Sequence, residues 1–247
     1  MPTKPNKARL ILSELRGGDF THPGDIDAIN MMIAPIIKDY PDLINARCLD
    51  VGCGFGGTAD YLFRYGFKNI LGIDINKSSL EYAATRYKNI NFLEVDATQV
   101  EQHLETGFSF IYCFSSLYAI PDKTRVFNQL AKIAKPGAVL AIFDYTITKN
   151  TSENILDLAN KPMYPINITT IEDQLKQTGW QILEIKDISS KFTMWYESLL
   201  DKLAEQRQSL ETRFTSEDIA KVLHTNTHIL HQLKQKNLGG TMIYAHL

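Results

Sequence analysis

The chain has 247 residues, 44% of them hydrophobic and 22% charged, with a formal net charge of -2 at pH 7. Such a chain suits one globular domain, or one domain with an elaboration. The charge gives no electrostatic case for nucleic acid as a partner, and no apolar run approaches a membrane span, so no membrane partner is expected. The first ten residues are basic but lack a long apolar stretch and a small-residue cleavage site, so a frayed terminus is expected rather than a signal peptide. Cysteines 48, 53 and 113 fall in expected strands or the turn beside them. An odd number so placed points to reduced thiols and a cytoplasmic setting.

From 46 to 147, apolar runs alternate with helical patterns in the manner of βαβ units. Strands are expected at 46–51, 69–74, 90–95, 108–114 and 138–144, and helices at 58–65, 78–88 and 122–134. Gly66 closes the first helix, and Lys135-Pro136-Gly137 stops the third. The strands are nearly continuous in Val, Ile, Leu and Phe, as expected when both faces are buried. After 147 the texture changes. Residues 150–154 read as a polar turn, and the prolines at 162 and 165 interrupt any helix. Thr169-Thr170-Ile171-Glu172 has the form of a capping box for a helix ending at Gly179. A sixth strand at 180–185, amphipathic helices at 192–211 and 216–236, and a closing strand from Gly239 complete the pattern. The expected fold is α/β, a Rossmann-like, doubly wound sheet of seven strands. It ends in a C-terminal antiparallel hairpin, and a helical insertion at 187–236 forms a lid over the carboxyl ends of the strands.

Residues 48–57 read Cys-Leu-Asp-Val-Gly-Cys-Gly-Phe-Gly-Gly, and Leu71-Gly72-Ile73-Asp74 follows about twenty residues later. A strand running into a glycine turn, paired with a second strand that ends in a carboxylate, is how open α/β sheets hold an adenosine-containing cofactor. Gly52, Gly54 and Gly56 let the backbone turn sharply and approach a ligand. The N–H groups of the following helix face an anionic group, and Asp74 can accept from both ribose hydroxyls. Gly52-x-Gly54-x-x-Gly57 also fits a nicotinamide dinucleotide, so an NAD(P)-dependent dehydrogenase is an alternative. Three features point elsewhere: Asp50 two residues before the first glycine, Asp96 ending a third strand, and the closing segment that suits an antiparallel hairpin.

Here the sequence resembles the class I S-adenosylmethionine-dependent methyltransferases over residues 46–146. The resemblance implies that Asp50 and the Gly52/Gly54/Gly56 turn hold the methionine moiety. Asp74 and Ile75 then hold the ribose side, Asp96 and Ala97 border the adenine, and Phe114 and Ser115 line the cofactor beside the methyl. Gly17-Gly-Asp-Phe-Thr-His-Pro-Gly24 is similar to the N-terminal element of the phosphoethanolamine and sarcosine groups, which folds over the cofactor. Residues 1–45 are accordingly expected as an N-terminal helical segment, and 46–247 as the methyltransferase domain. Asp144-Tyr145, Met163-Tyr164 and Trp195-Tyr196 extend the likeness. Two features depart from the phosphoethanolamine pattern. Tyr118 stands where a catalytic histidine follows the fourth strand, and Asn237-Leu-Gly-Gly-Thr stands where phosphate-binding bases belong. The expected acceptor is thus a small amine or hydroxyl compound rather than a phosphorylated one.

Methyl transfer needs an in-line approach to an electrophile that is already activated, so positioning supplies most of the acceleration. A base is needed only for a protonated acceptor. Tyr118, His22 and Asp144 are the candidates for that work, each with a structural alternative as packing, turn or capping residue. Tyr145, Tyr164 and Trp195 are candidates to wall a small cation by cation–π attraction, and equally for lid packing. His224, His228 and His231 share a helical face, but no cysteine or acid cluster accompanies them, so a solvated face and no metal are expected. A cofactor-binding protein without turnover is the non-enzymatic alternative. The oligomeric state is not written in these motifs.

Overall fold

Strand β1 (Arg47–Val51) lies at the centre of a mostly parallel sheet, paired on one side with β2 (Asn69–Asp74) and on the other with β4 (Phe108–Phe114). The computed structural model describes residues 5–147 and 162–247, so the turn expected at 150–154 lies outside the described residues. Beyond β2 comes β3 (Asn91–Glu94); beyond β4 come β5 (Ala134–Ile147), the antiparallel β8 (Leu238–His246) and β7 (Gln181–Asp187). The order β3-β2-β1-β4-β5-β8-β7 places seven strands on one path, and a two-residue strand β6 (Ile166–Asn167) pairs with the end of β5. The chain reverses direction across the sheet between β1 and β4, which opens a crevice at their carboxyl ends.

Period-two alternation divides the core. Cys48, Phe110, Tyr112, Phe114, Ala141, Phe143 and Tyr145 face one layer of helices, while Leu49, Val51, Ile111, Cys113, Leu140 and Ile142 face the other. The first layer holds α1 (Lys7–Leu15), α2 (Asp25–Asp39), α3 (Gly57–Tyr65), α7 (Ser189–Glu205), α8 (Arg207–Glu211) and α9 (Ser216–Lys234). The second holds α5 (Lys123–Ile133) and α6 (Ile171–Gln177). Helix α4 (Lys77–Arg86) follows β2.

Several boundaries differ from the sequence expectation for identifiable reasons. The expected helix at 192–211 begins at Ser189, because Asp187 Oδ1 accepts from the Ser189 N–H at 2.8 Å, and it breaks at Gln206 into α7 and α8. The capping box at Thr169–Glu172 does not form. Thr170 is the N-cap of α6 without a side-chain bond, and Thr169 bonds Asn167 instead. A capping box does form at α9, where Thr215 and Asp218 satisfy each other's backbone N–H. Lys7 Nζ reaches the same Asp218 at 2.8 Å and so ties α1 to α9.

The N-terminal segment between α1 and α2 is held down by a buried acid. Asp19 accepts from the hydroxyls of Tyr82 at 3.1 Å and Tyr87 at 2.6 Å, and it pairs with Arg86 Nε at 2.7 Å. The strap crosses the start of α3 so closely that a Cβ on Gly57 would stand 2.5 Å from the Asp19 carbonyl. Its far end passes under α7. Gly24, in the left-handed region at φ 81°, leaves room for the Trp195 indole, which would be 2.7 Å from an added Cβ.

Candidate active site

The turn after β1 is built around its own hydrogen bonds. The N–H groups of Gly52 and Cys53 donate to the Ile73 carbonyl at 2.8 and 2.9 Å, and Gly54 N–H donates to Asp74 Oδ2 at 2.9 Å. Gly52, Gly54 and Gly56 all have positive φ. Asp74 is half-buried; its other oxygen accepts from Asn76 N–H at 2.8 Å, so each oxygen keeps capacity for a further donor. Ile75 beside it is 70% exposed, an apolar side chain with no protein surface to cover it. Asp96 is exposed and caps the following turn through Oδ1, which accepts from the Thr98 N–H and hydroxyl at 2.8 Å each. Ala97 is buried next to it.

Asp50 differs from these acids. It is 2% exposed, and among the described residues its Oδ2 has no partner in good hydrogen-bond geometry, although the Tyr112 hydroxyl lies close enough to act on it. Burial and the nearby Asp74 charge push its pKa up to about 8. The Tyr112 hydroxyl, opposite Asp50 on β4, is likewise buried without a bond of good geometry, and the hydroxyl of Ser115, held at φ 46° just past the end of the same strand, is buried with no partner among the described residues. A buried carboxyl and two buried hydroxyls without well-formed bonds beside one glycine turn are what a polar ligand would satisfy.

The three candidates for proton chemistry are differently placed. His22 is buried against the Phe114 ring, 4.7 Å between centroids. Its Nδ1 donates to the Pro23 carbonyl and its Nε2 accepts from Thr58 Oγ1, both at 3.1 Å. Burial lowers its pKa to about 3, so the ring is neutral with both nitrogens engaged. Asp144 is fully buried. One oxygen accepts from the backbone N–H groups of Ser116, Leu117 and Tyr118 at 3.1, 2.8 and 3.3 Å, and the other from Tyr145 N–H at 2.7 Å. Its pKa is raised to about 6 by burial, offset by those backbone bonds. Four N–H donors make it the anchor of the Ser116–Tyr118 turn, the capping alternative. Tyr118 is half-buried and meets the Tyr145 ring edge-on at 5.2 Å; burial pushes its phenol up to about 12.

The aromatic candidates converge with others that the sequence did not single out. Tyr145 is hydrogen-bonded hydroxyl to hydroxyl with Tyr196, and it meets the Phe192 ring at 5.2 Å. Trp195 packs 6.0 Å from both Phe143 and Phe192, so α7 covers the carboxyl end of β5. Tyr164 is half-buried, and its backbone N–H donates to the Tyr118 carbonyl at 2.6 Å. The spacing of 192, 195, 196 and 199 on one helical face is the signal that would have added Phe192 and Tyr196. Nothing local marks Arg9 or Thr58. Arg9 reaches the glycine turn only because α1 packs above it. Among the described residues no group of His, Cys, Asp and Glu is arranged to hold a metal, and no helix is long and apolar enough to cross a membrane.

A family model described as Methyltransferase domain matches residues 44–199. Phosphoethanolamine N-methyltransferase 1 of Triticum aestivum is 26% identical over 197 residues, 76% of this chain and 39% of that protein. The chain thus spans about two fifths of the length of that relative. A Galdieria sulphuraria structure assigned to the sarcosine dimethylglycine methyltransferases superposes with a TM-score of 0.85 at 16% identity, covering 97% of this chain and 98% of that one. Phosphoethanolamine N-methyltransferase 2 of Haemonchus contortus, solved with phosphomonomethylethanolamine and S-adenosylhomocysteine, gives 0.83 at 18% identity, with 96% and 56% coverage. At these identities the structural likeness is one of fold.

Proposed function

We propose, because the chain belongs to the methyltransferase-domain family, that it transfers the methyl group of S-adenosylmethionine to a nitrogen or oxygen nucleophile of a small molecule. The family assignment removes the dehydrogenase that the glycine spacing alone allowed. The observation that carries the reading is the buried carboxyl group of Asp50 beside the glycine turn, with an oxygen short of a well-formed hydrogen bond, a partner for the cofactor's ammonium group. Gly52, Gly54 and Gly56 admit the methionine moiety, and Asp74 takes the ribose hydroxyls. Ile75 lies beside Asp74 on the ribose side, and Ala97 borders the adenine with Asp96 at its amino edge. Phe114 and the unpartnered Ser115 hydroxyl lie next to the methyl group. When bound, the cofactor supplies a methyl already activated on a sulfonium; alignment is the protein's task.

On the acceptor side, Tyr118, Tyr145, Tyr164 and Trp195 form the walls, with Phe192 and Tyr196 behind them. Neither His22 nor Asp144 stands free as a base: His22 has both nitrogens engaged, and the fully buried Asp144 carboxylate holds four backbone N–H donors. We assign those two to positioning, His22 for the strap and Asp144 for the Tyr118 turn. Tyr118 keeps its proton at neutral pH, so it orients the acceptor by a hydrogen bond or relays a proton without removing one outright. These residues suit a nucleophile that arrives with its lone pair free, such as an unprotonated amine. The aromatic faces then stabilise the positive charge that develops on it. Of the N-terminal segment expected at 1–45, the described residues 5–45 cover the cofactor, and 187–236 act as the lid. Three buried, unbridged cysteines suit a cytoplasmic setting.

Two measurements test the reading. Equilibrium binding should favour S-adenosylhomocysteine over NAD, and labelled methyl groups should be incorporated across a panel of small amines, phenols and acids. Tight cofactor binding without incorporation into any metabolite of a cell extract would leave a cofactor-binding protein without turnover.

A further inference from the structure

Arg9 stands outside the residues matched by the family model, on the N-terminal helix that packs over the glycine turn. A Cβ on Gly54 would come 3.3 Å from Arg9 Nη1, 3.4 Å from Thr21 Oγ1 and 3.9 Å from Arg9 Cζ. The guanidinium therefore occupies the wall directly facing the backbone that the glycine keeps bare. Nη1 donates to Ser79 Oγ at 2.8 Å, and the charged group lies 5.8 Å from the centre of the Phe55 ring. Ser79 is fully buried near the start of α4, with its own N–H held by Asn76 Oδ1 at 3.0 Å, so the contact that orients Arg9 is itself rigid.

Half-buried as it is, Arg9 forms no ion pair among the described residues. One of its five N–H donors is spent on Ser79, and a fork able to grip a carboxylate remains. Asp50, on the strand that runs into that turn, is a buried anion-forming group whose Oδ2 lacks a hydrogen bond of good geometry among the described residues. A guanidinium with no ion pair facing Gly54, and a buried carboxyl at the end of the strand that leads into the same turn, whose Oδ2 is met only by the Tyr112 hydroxyl, are complementary to a single ligand group, a zwitterionic α-amino acid. An isolated anion would satisfy only the first, and an isolated amine only the second.

We infer that Arg9 receives the α-carboxylate of the cofactor's amino-acid end and forms with Asp50 a clamp selective for that zwitterion. The inference rests on the cofactor reading above and adds to it a residue and a selectivity. It makes the N-terminal helix part of the cofactor site, with Thr21 as a second donor beside the same carboxylate.

The experiment compares full-length wild type with Arg9→Ala and Arg9→Gln, titrating each with S-adenosylmethionine and with its decarboxylated form by calorimetry. The decarboxylated compound keeps the adenosine, sulfonium and amine. Wild type should prefer the intact cofactor by roughly tenfold or more, the size of effect expected of a charge-assisted fork. Both variants should lose that preference while binding the decarboxylated compound as wild type does, which also shows that the site remains folded. Arg9→Lys should keep part of the preference. An undiminished preference in both variants would overturn the inference, and so would an equal loss of affinity for both compounds, which would make Arg9 a packing residue. Failure of wild type to bind either compound would instead overturn the cofactor reading, and the clamp with it.

Discussion

At the ends of β1, β2 and β3 the cleft is lined by glycines and by acids that keep unused hydrogen-bonding capacity, with Asp74 half-buried and Asp96 exposed. At the ends of β4 and β5, under α7, it is lined by rings packed on one another, and three of its polar groups are already engaged: Asp144 by four N–H donors, His22 by Thr58 and Pro23, Tyr145 by Tyr196. The first region is shaped to receive hydrogen bonds and charge from a ligand. The second is shaped to exclude water and to present π faces. Binding and transfer are thereby assigned to different halves of one crevice, and substitutions in each half should move different constants.

The largest expected effect is Gly54→Val. The position has φ 54°, and its Cβ would intrude between the turn, Arg9 and Thr21. Binding of S-adenosylhomocysteine should fall by about a hundredfold or more, since a branched side chain fills the ligand's approach. Circular dichroism should still report a folded chain. A Val variant that binds normally would break the division at its strongest point.

Next comes Tyr118→Phe, which keeps the ring against Tyr145 but removes the hydroxyl. Turnover should drop roughly a hundredfold if the hydroxyl acts in the transition state, with cofactor affinity unchanged. Level turnover would make Tyr118 a packing residue and leave transfer to alignment alone.

Asp74→Ala should show the converse pattern. Loss of a charged acceptor costs about 1.5–3 kcal/mol per hydrogen bond, or roughly ten- to hundredfold in cofactor affinity. The rate at saturating cofactor should change little. Unchanged affinity would remove Asp74 from the ribose site.

The smallest effect is a pH dependence. The Asp50 pKa is raised in the folded chain from an ordinary 3.8 to about 8. The stability this gives is complete below the unfolded value and is lost as pH rises through the folded one. Melting temperature of the ligand-free protein should therefore decline between about pH 4 and pH 8 more steeply in wild type than in Asp50→Asn. An ammonium group beside Asp50 favours its anion, so cofactor binding near neutral pH should release a proton. Calorimetry in buffers of differing ionisation enthalpy measures this. Identical pH profiles for wild type and Asp50→Asn would mean that Asp50 is not held protonated in the free protein.

The same division separates what could be read in the sequence from what could not. Strand β1, its glycine turn, Asp50, Asp74 and Asp96 lie in short runs whose spacing carries the information, because a backbone turn and a strand end are local events. The parallel strands were legible for a similar reason, as apolar runs bounded by Gly, Pro and charged residues. The boundaries that moved did so through a particular bond: Asp187 starts α7 three residues early, and Asn167 takes Thr169 away from the expected capping box.

Sequence alone determined that this chain forms an α/β sheet with a glycine turn and three acids at successive strand ends. Those features depend on residues within a few positions of each other, where sterics and hydrogen bonding act directly. Tertiary structure alone decided that Asp144 is consumed as an anchor and that His22 is neutral and doubly bonded. It also joined Tyr145 to Tyr196, fifty-one residues apart in the chain, and placed Arg9 over Gly54. In each case, whether a side chain keeps a free charge, proton or lone pair depends on which distant groups packing brings to it, and that packing is a property of the whole fold.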